Sequence, residues 1–176
     1  MAEIKLVPRS EVDPSITWDM TLLYPSDEAF YAELDKLKKE MKAFKEKYEN
    51  KLGNLEVLDE AIRQYEAIEL AVYRASHYAE LPMTVDRLNP KVIENATAFE
   101  AVSVSYAENM SFVMTELISL DEDFLNQFVA KKRPDLAYFV EKVIRQKKHT
   151  LSKDAEQVLS NLSSLPSFYQ LYEVTK

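Results

Sequence analysis

Between Ser26 and Tyr48 the apolar positions fall on one seam: Phe30, Leu34, Leu37, Met41, Phe44 and Tyr48 recur at steps of 4, 3, 4, 3 and 4 residues. That alternation puts them on one stripe of a helix whose other faces carry Lys and Glu. Asp35 and Lys39 stand one turn apart on the polar surface. Ser26 is placed to cap this helix, and Asp27 and Glu28 suit the positive end of its dipole. The pattern breaks over 50–54, where the only glycine, Gly53, suits a position just past a helix end and Asn54 suits the next N-cap. A second seam follows: Leu55, Leu58, Ile62, Tyr65, Ile68, Val72, Ala75 and Ala79. So short a loop makes the two helices antiparallel neighbours, with Leu37, Met41 and Phe44 facing Leu58, Ile62 and Tyr65. Ala71, Ala75 and Ala79 predict a close helix crossing, and Pro82 a stop or kink.

Asn89-Pro90 pairs an N-cap with proline at the first helical position. The third helix it opens is predicted to be long, with Ala96, Phe99, Ser103, Tyr106, Met110, Val113, Leu117 and Leu120 at 3,4 spacing. Asp121 predicts the cap of a short fourth helix ending near Val129. Pro134 opens a fifth, with Leu136, Phe139, Val140, Val143 and Ile144 on one face. Ser152 caps a sixth, and Pro166 interrupts it before the apolar run FYQLYEV. The pattern predicts an all-α chain: a long antiparallel αα-hairpin followed by further helices. An irregular segment over 1–25 precedes a single helical domain over 26–176. No repeat of 34 or 40 residues supports a solenoid.

Composition sharpens this reading. A single Gly in 176 residues argues against a β-rich fold, whose tight turns need glycine. Hydrophobic residues at 47% and charged ones at 30% describe an ordinary globular chain. With no Cys there is neither a disulfide framework nor thiolate chemistry. The N-terminus has no apolar h-region, and no stretch approaches the ~18 apolar residues of a membrane span, so a cytoplasmic protein is expected. The net charge of -8 is uneven. Residues 55–130 hold fourteen acids and four bases, whereas 131–148 hold seven bases and two acids. The acidic body argues against nucleic-acid binding. The basic stretch has a structural reason: Arg145, Lys147 and Lys148 end the fifth helix, and Ser152, Asp154 and Glu156 begin the sixth.

Candidate chemistry is sparse. His77 and His149 are 72 residues apart, no HExxH occurs, and no paired ExxH motif could hold a di-iron centre. One glycine excludes a P-loop or dinucleotide fingerprint, and there is no GxSxG elbow. His149 is read as closing the junction of the fifth and sixth helices, and His77 as a packed or half-exposed helix residue. The tyrosines read as interfacial core, and adjacent carboxylates such as Asp59-Glu60 as solvated surface. No catalytic, cofactor-binding or metal-binding residue is assigned.

Three stretches together resemble one family. ITWDMTLLYPSDEAFYAELDKLKKEMKAF carries Trp18, Asp19, Leu23, Tyr24, Ser26 and Asp27; VDRLNPKVIENA carries Val85, Asp86, Asn89 and Pro90; RQKKHTLS carries Arg145, Lys148, His149, Leu151 and Ser152. In order and spacing these are similar to the N-terminal part of the oligoendopeptidase F family, bacterial zinc metallopeptidases related to thimet oligopeptidase. The resemblance covers about residues 16–172. It implies the N-terminal helical lobe of such an enzyme, truncated before the domain that carries HExxH and the third zinc ligand. That lobe is expected to form one wall of a substrate channel for oligopeptides, with zinc belonging to the full-length protein and none to this chain. Expected partners are the absent catalytic domain and, for the fragment, a second copy meeting it through Leu165, Phe168, Leu171, Tyr172 and Val174; neither nucleic acid nor membrane is expected. The residues alone leave a second reading open, a self-standing helical interaction module with no peptidase role.

Overall fold

The computed structural model describes residues 11–147. His149, the sixth helix with its Ser152 cap, and the C-terminal apolar run lie outside the described residues. The fold is all-α, and among the described residues there is no strand. The helices are α1 (Asp27–Tyr48), α2 (Leu55–Glu80), α3 (Pro90–Met110), α4 (Phe112–Ser119), α5 (Glu122–Lys131) and α6 (Ala137–Lys147). They group into two compact units, one ending at Leu117 and one beginning at Ile118.

The first unit is a three-helix bundle, up-down-up. The Ser26 oxygen accepts from the Ala29 N–H at 3.3 Å and so starts α1. All six residues of its predicted seam, from Phe30 to Tyr48, are buried. α2 runs back along it. Phe30 packs on Tyr78 at 4.8 Å between ring centroids near one end, and Phe44 on Tyr65 at 6.4 Å near the other. Lys47 pairs with Glu60 at 2.8 Å beside the turn. The predicted antiparallel hairpin is therefore present, and Asn54 caps α2 by accepting from the N–H groups of Glu56 and Val57. α3 lies parallel to α1: Tyr31 reaches Asn95 at one end, and Phe44 meets Phe112 just beyond the other.

Several local expectations are corrected. The left-handed residue in the α1–α2 turn is Asn50, with φ 63°, and not Gly53. Asn tolerates this region better than other side chains, and the Glu116 carboxylate holds the turn by accepting from the N–H groups of Asn50 (2.5 Å) and Leu52 (3.4 Å). The long third helix is broken at Ser111 into α3 and α4. Polar side chains there compete for backbone carbonyls: the Asn109 amide donates to the Ser105 carbonyl at 2.7 Å and Thr115 Oγ1 to that of Ser111 at 3.3 Å. Val102 is buried while Ser103 is exposed. Asp35 pairs with Lys38, not Lys39. Asp59 is only partly solvated: one oxygen binds Arg63 at 3.1 Å and the other is buried without a hydrogen-bond partner.

In the second unit Asp121 caps α5 as predicted, accepting from the N–H groups of Asp123 and Phe124. Leu125 and Phe128 of α5 are buried, as are Val140 and Val143 of α6. Pro134 opens a 3₁₀ turn through Leu136 before α6 begins. The Lys147 ammonium donates to the Leu120 carbonyl, and Arg145 pairs with Glu141, which accounts for two of the cations that close α6.

Candidate functional site

Two segments 60 residues apart in sequence meet at one end of the bundle. In the first, Asp19 Oδ1 accepts from both the N–H and the hydroxyl of Thr21, at 2.9 and 2.6 Å, and fixes a 3₁₀ turn over Met20–Leu22. Tyr24 anchors this segment: its ring is buried edge-on against Phe30 and Tyr78 at 5.6 and 5.4 Å. The Arg74 guanidinium donates to the Leu23 carbonyl at 2.7 Å and lies 5.5 Å from the Tyr24 ring centre. In the second segment Pro82 ends α2 and opens a 3₁₀ turn to Thr84. Asn89 then caps α3, accepting from Lys91 N–H at 3.0 Å and donating to Asp86 at 3.2 Å.

These turns point apolar groups outward. Trp18 is 82% exposed, Ile16 78% and Val85 62%. All three line one furrow of about 420 Å³, with Asp86 and Val92 also on its walls. A second furrow, of about 340 Å³, is lined by Glu80, Met83, Ile93, Phe99 and Glu100. The chain from 80 to 93 contributes to both, so the α2–α3 turn is their common border.

Beneath this end lies a polar hub joining α1, α2 and α3. Asp27 accepts from the Tyr78 hydroxyl at 2.8 Å and from the Asn95 amide at 3.0 Å, with the Lys91 ammonium 3.5 Å away. Tyr31 donates to the Asn95 carbonyl oxygen at 2.7 Å. Partial burial pushes the Asp27 carboxyl up, but the hydrogen bonds from Tyr78 and Asn95 and the Lys91 charge outweigh it, so its pKa lies below the ordinary 3.8. Burial first, and the bond to Asp27 second, push the Tyr78 hydroxyl up to about 12. Further along the bundle, Tyr106 donates to Glu69 and shares a 2.9 Å contact with the Tyr65 hydroxyl; burial leads the causes that raise both phenols.

The expected tyrosine role fits most of this chemistry: the hydroxyls of Tyr31, Tyr48, Tyr65, Tyr78 and Tyr106 all bond within the bundle. His77 is half-exposed on α2, with Nδ1 2.7 Å from the Tyr73 carbonyl, so that nitrogen is the one that donates. Among the described residues no group of three His, Asp or Glu side chains is arranged to hold a metal ion. No helix among them is long and apolar enough to cross a membrane. The furrows were invisible to periodicity, because it cannot bring residues 16–20 beside 81–92. The one available signal was a Trp in a stretch without helical spacing.

The family model described as Oligopeptidase F matches residues 116–172. An oligoendopeptidase F homolog from Borreliella burgdorferi is 25% identical over 94% of this chain and 28% of its own length. Oligopeptidase PepF of Bacillus subtilis is 28% identical over 94% of this chain and 26% of its own. A crystal structure of a Chlamydophila abortus protein described as a candidate peptidase superposes with a TM-score of 0.72 at 26% identity, covering 90% of this chain and 27% of that one. The chain thus spans about a quarter of the length of the proteins it matches. These matches bear out the resemblance carried by the three sequence stretches: this chain is similar to the N-terminal helical lobe of oligoendopeptidase F proteins.

Proposed function

We propose that this chain is the non-catalytic N-terminal lobe of a bacterial, cytoplasmic zinc metalloendopeptidase that cleaves oligopeptides, and that it supplies one wall of the substrate channel. The observation that carries this reading is the pattern of coverage: relatives named as oligopeptidases align with nearly all of this chain but with only about a quarter of themselves. Sequence chemistry agrees, since the 176 residues contain two well-separated histidines and no HExxH. The catalytic ligands and the water-activating base would then come from the remainder of the longer protein. This chain's own contribution is shape and surface: a rigid bundle whose end exposes apolar and acidic groups along two furrows.

The test uses purified protein with zinc and a fluorogenic oligopeptide. The expected result is no stoichiometric zinc binding and no turnover, with the peptide nevertheless retained weakly by the bundle. Micromolar zinc affinity together with peptide cleavage would overturn the non-catalytic assignment.

A further inference from the structure

We propose that the two furrows bordering the 82–84 turn form one docking surface for a cationic oligopeptide, with an apolar side chain seated against Trp18 and a Lys or Arg held between Glu80 and Glu100. This rests on the channel-wall reading above and deepens it by naming the substrate class.

The first argument is what the fold leaves over. Of the residues in the first two family-like stretches, Asp19, Ser26 and Asn89 cap turns or helices. Pro90 opens α3, Tyr24 is core and Asp27 ties three helices together. Trp18 and Val85 have no such task; both are exposed, and both line the same furrow. Apolar groups gathered in one exposed patch mark a surface that another molecule covers.

The second argument is charge. Asp86 lines one furrow, Glu80 and Glu100 line the other, and no Lys or Arg lines either. Several carboxylates elsewhere on the bundle are ion-paired: Asp27 with Lys91, Asp59 with Arg63, Glu60 with Lys47. Glu80 and Glu100 make no ion pair among the described residues, and the nearby cations are otherwise placed. Lys91 is held by Asp27 and Glu94, Arg74 by the Leu23 carbonyl and the Tyr24 ring, and Arg87 lines neither furrow. The counter-charge these acids lack is one that a ligand can bring.

The third argument is size. Each furrow falls in the range of about 300–1,000 Å³ typical of small-ligand pockets. Neither is the helix-length groove that an amphipathic partner helix needs for anchors at i, i+4 and i+7. A short extended peptide, gaining about 3.3 Å per residue, can lay separate side chains into both.

Trp18 is the only tryptophan in the chain, so it reports on its own furrow. Two ten-residue peptides without tryptophan are compared, alike in their apolar residues but carrying two Lys or two Glu. The Lys peptide should shift Trp18 emission and bind about tenfold more tightly than the Glu peptide. The double variant Glu80→Gln/Glu100→Gln should weaken the Lys peptide about fourfold and spare the Glu peptide, as expected for two exposed charge pairs. Val85→Ser, at an exposed position, should reduce binding of both peptides alike without unfolding the bundle. Equal affinity for both peptides would overturn the charge inference and leave the channel-wall reading standing. If neither peptide moves Trp18 emission at millimolar concentration, the reading and the inference fall together. An emission shift that follows protein concentration without peptide would assign the surface to a second copy and overturn the proposal.

Discussion

The polar hub at Asp27 offers a quantitative test of what holds the three helices in register. Asp27 accepts from Tyr78 on α2 and Asn95 on α3, and Asn95 is only 8% exposed. Hydrogen bonds to a charged group contribute about 1.5–3 kcal/mol each. The Asp27 side chain keeps 28% of its exposure, which favours the lower end of that range. Two such bonds, plus about 0.5 kcal/mol from the carboxylate at a helix N-terminus, make Asp27→Ala cost about 3.5 kcal/mol. Asp27→Ala combined with Tyr78→Phe in a double-mutant cycle isolates one bond, with an expected coupling of about 1.5 kcal/mol. The assay is urea unfolding followed by far-ultraviolet circular dichroism, with an unchanged denaturant slope as the control. The sign of the pH dependence follows from the depressed carboxyl. Its pKa is lower folded than unfolded, so the stabilisation is fully present above about pH 4 and is lost as pH falls through the folded value. Asp27→Asn should remove that part of the acid-side loss. A coupling under about 0.5 kcal/mol, the scatter expected for independent sites, would refute the hub.

Three further outcomes are expected. Phe44→Ala, which empties a fully buried site between Tyr48, Tyr65 and Phe112, should cost about 3–5 kcal/mol in the same titration. Gly53→Ala should be neutral or stabilise by up to about 1 kcal/mol, because its φ is not positive and an added Cβ meets nothing within 4 Å. Asn50→Ala should instead lose about 1 kcal/mol and Asn50→Gly almost nothing, since the left-handed conformation lies at Asn50.

What the sequence made legible was local. The seam from Phe30 to Tyr48 could be read because a buried helix face imposes its spacing on the residues themselves, and all six are buried. The caps at Ser26, Asn54, Asn89 and Asp121 could be read because capping needs a short polar side chain just before an apolar run. The break at Ser111 was hidden, because Val102, Met110, Phe112 and Val113 present a nearly continuous helical pattern across it. The role of Asn50 was hidden by the habit of giving left-handed turns to glycine; here Glu116, on a distant helix, holds the turn. The same limit applies to the candidate surface. Trp18 and Val85 are neighbours only because Arg74 and Tyr24 tie the N-terminal segment to the bundle. Nothing in the spacing of residues 16–20 encodes that docking.

The most direct test of the central claim is amide hydrogen exchange on this chain with and without a saturating cationic oligopeptide. A channel wall predicts slowed exchange in residues 16–20 and 80–86 and in the first turns of α3, with α5 and α6 unchanged. Exchange that is identical with and without peptide throughout 16–103, in a bundle shown to be folded, would contradict the account.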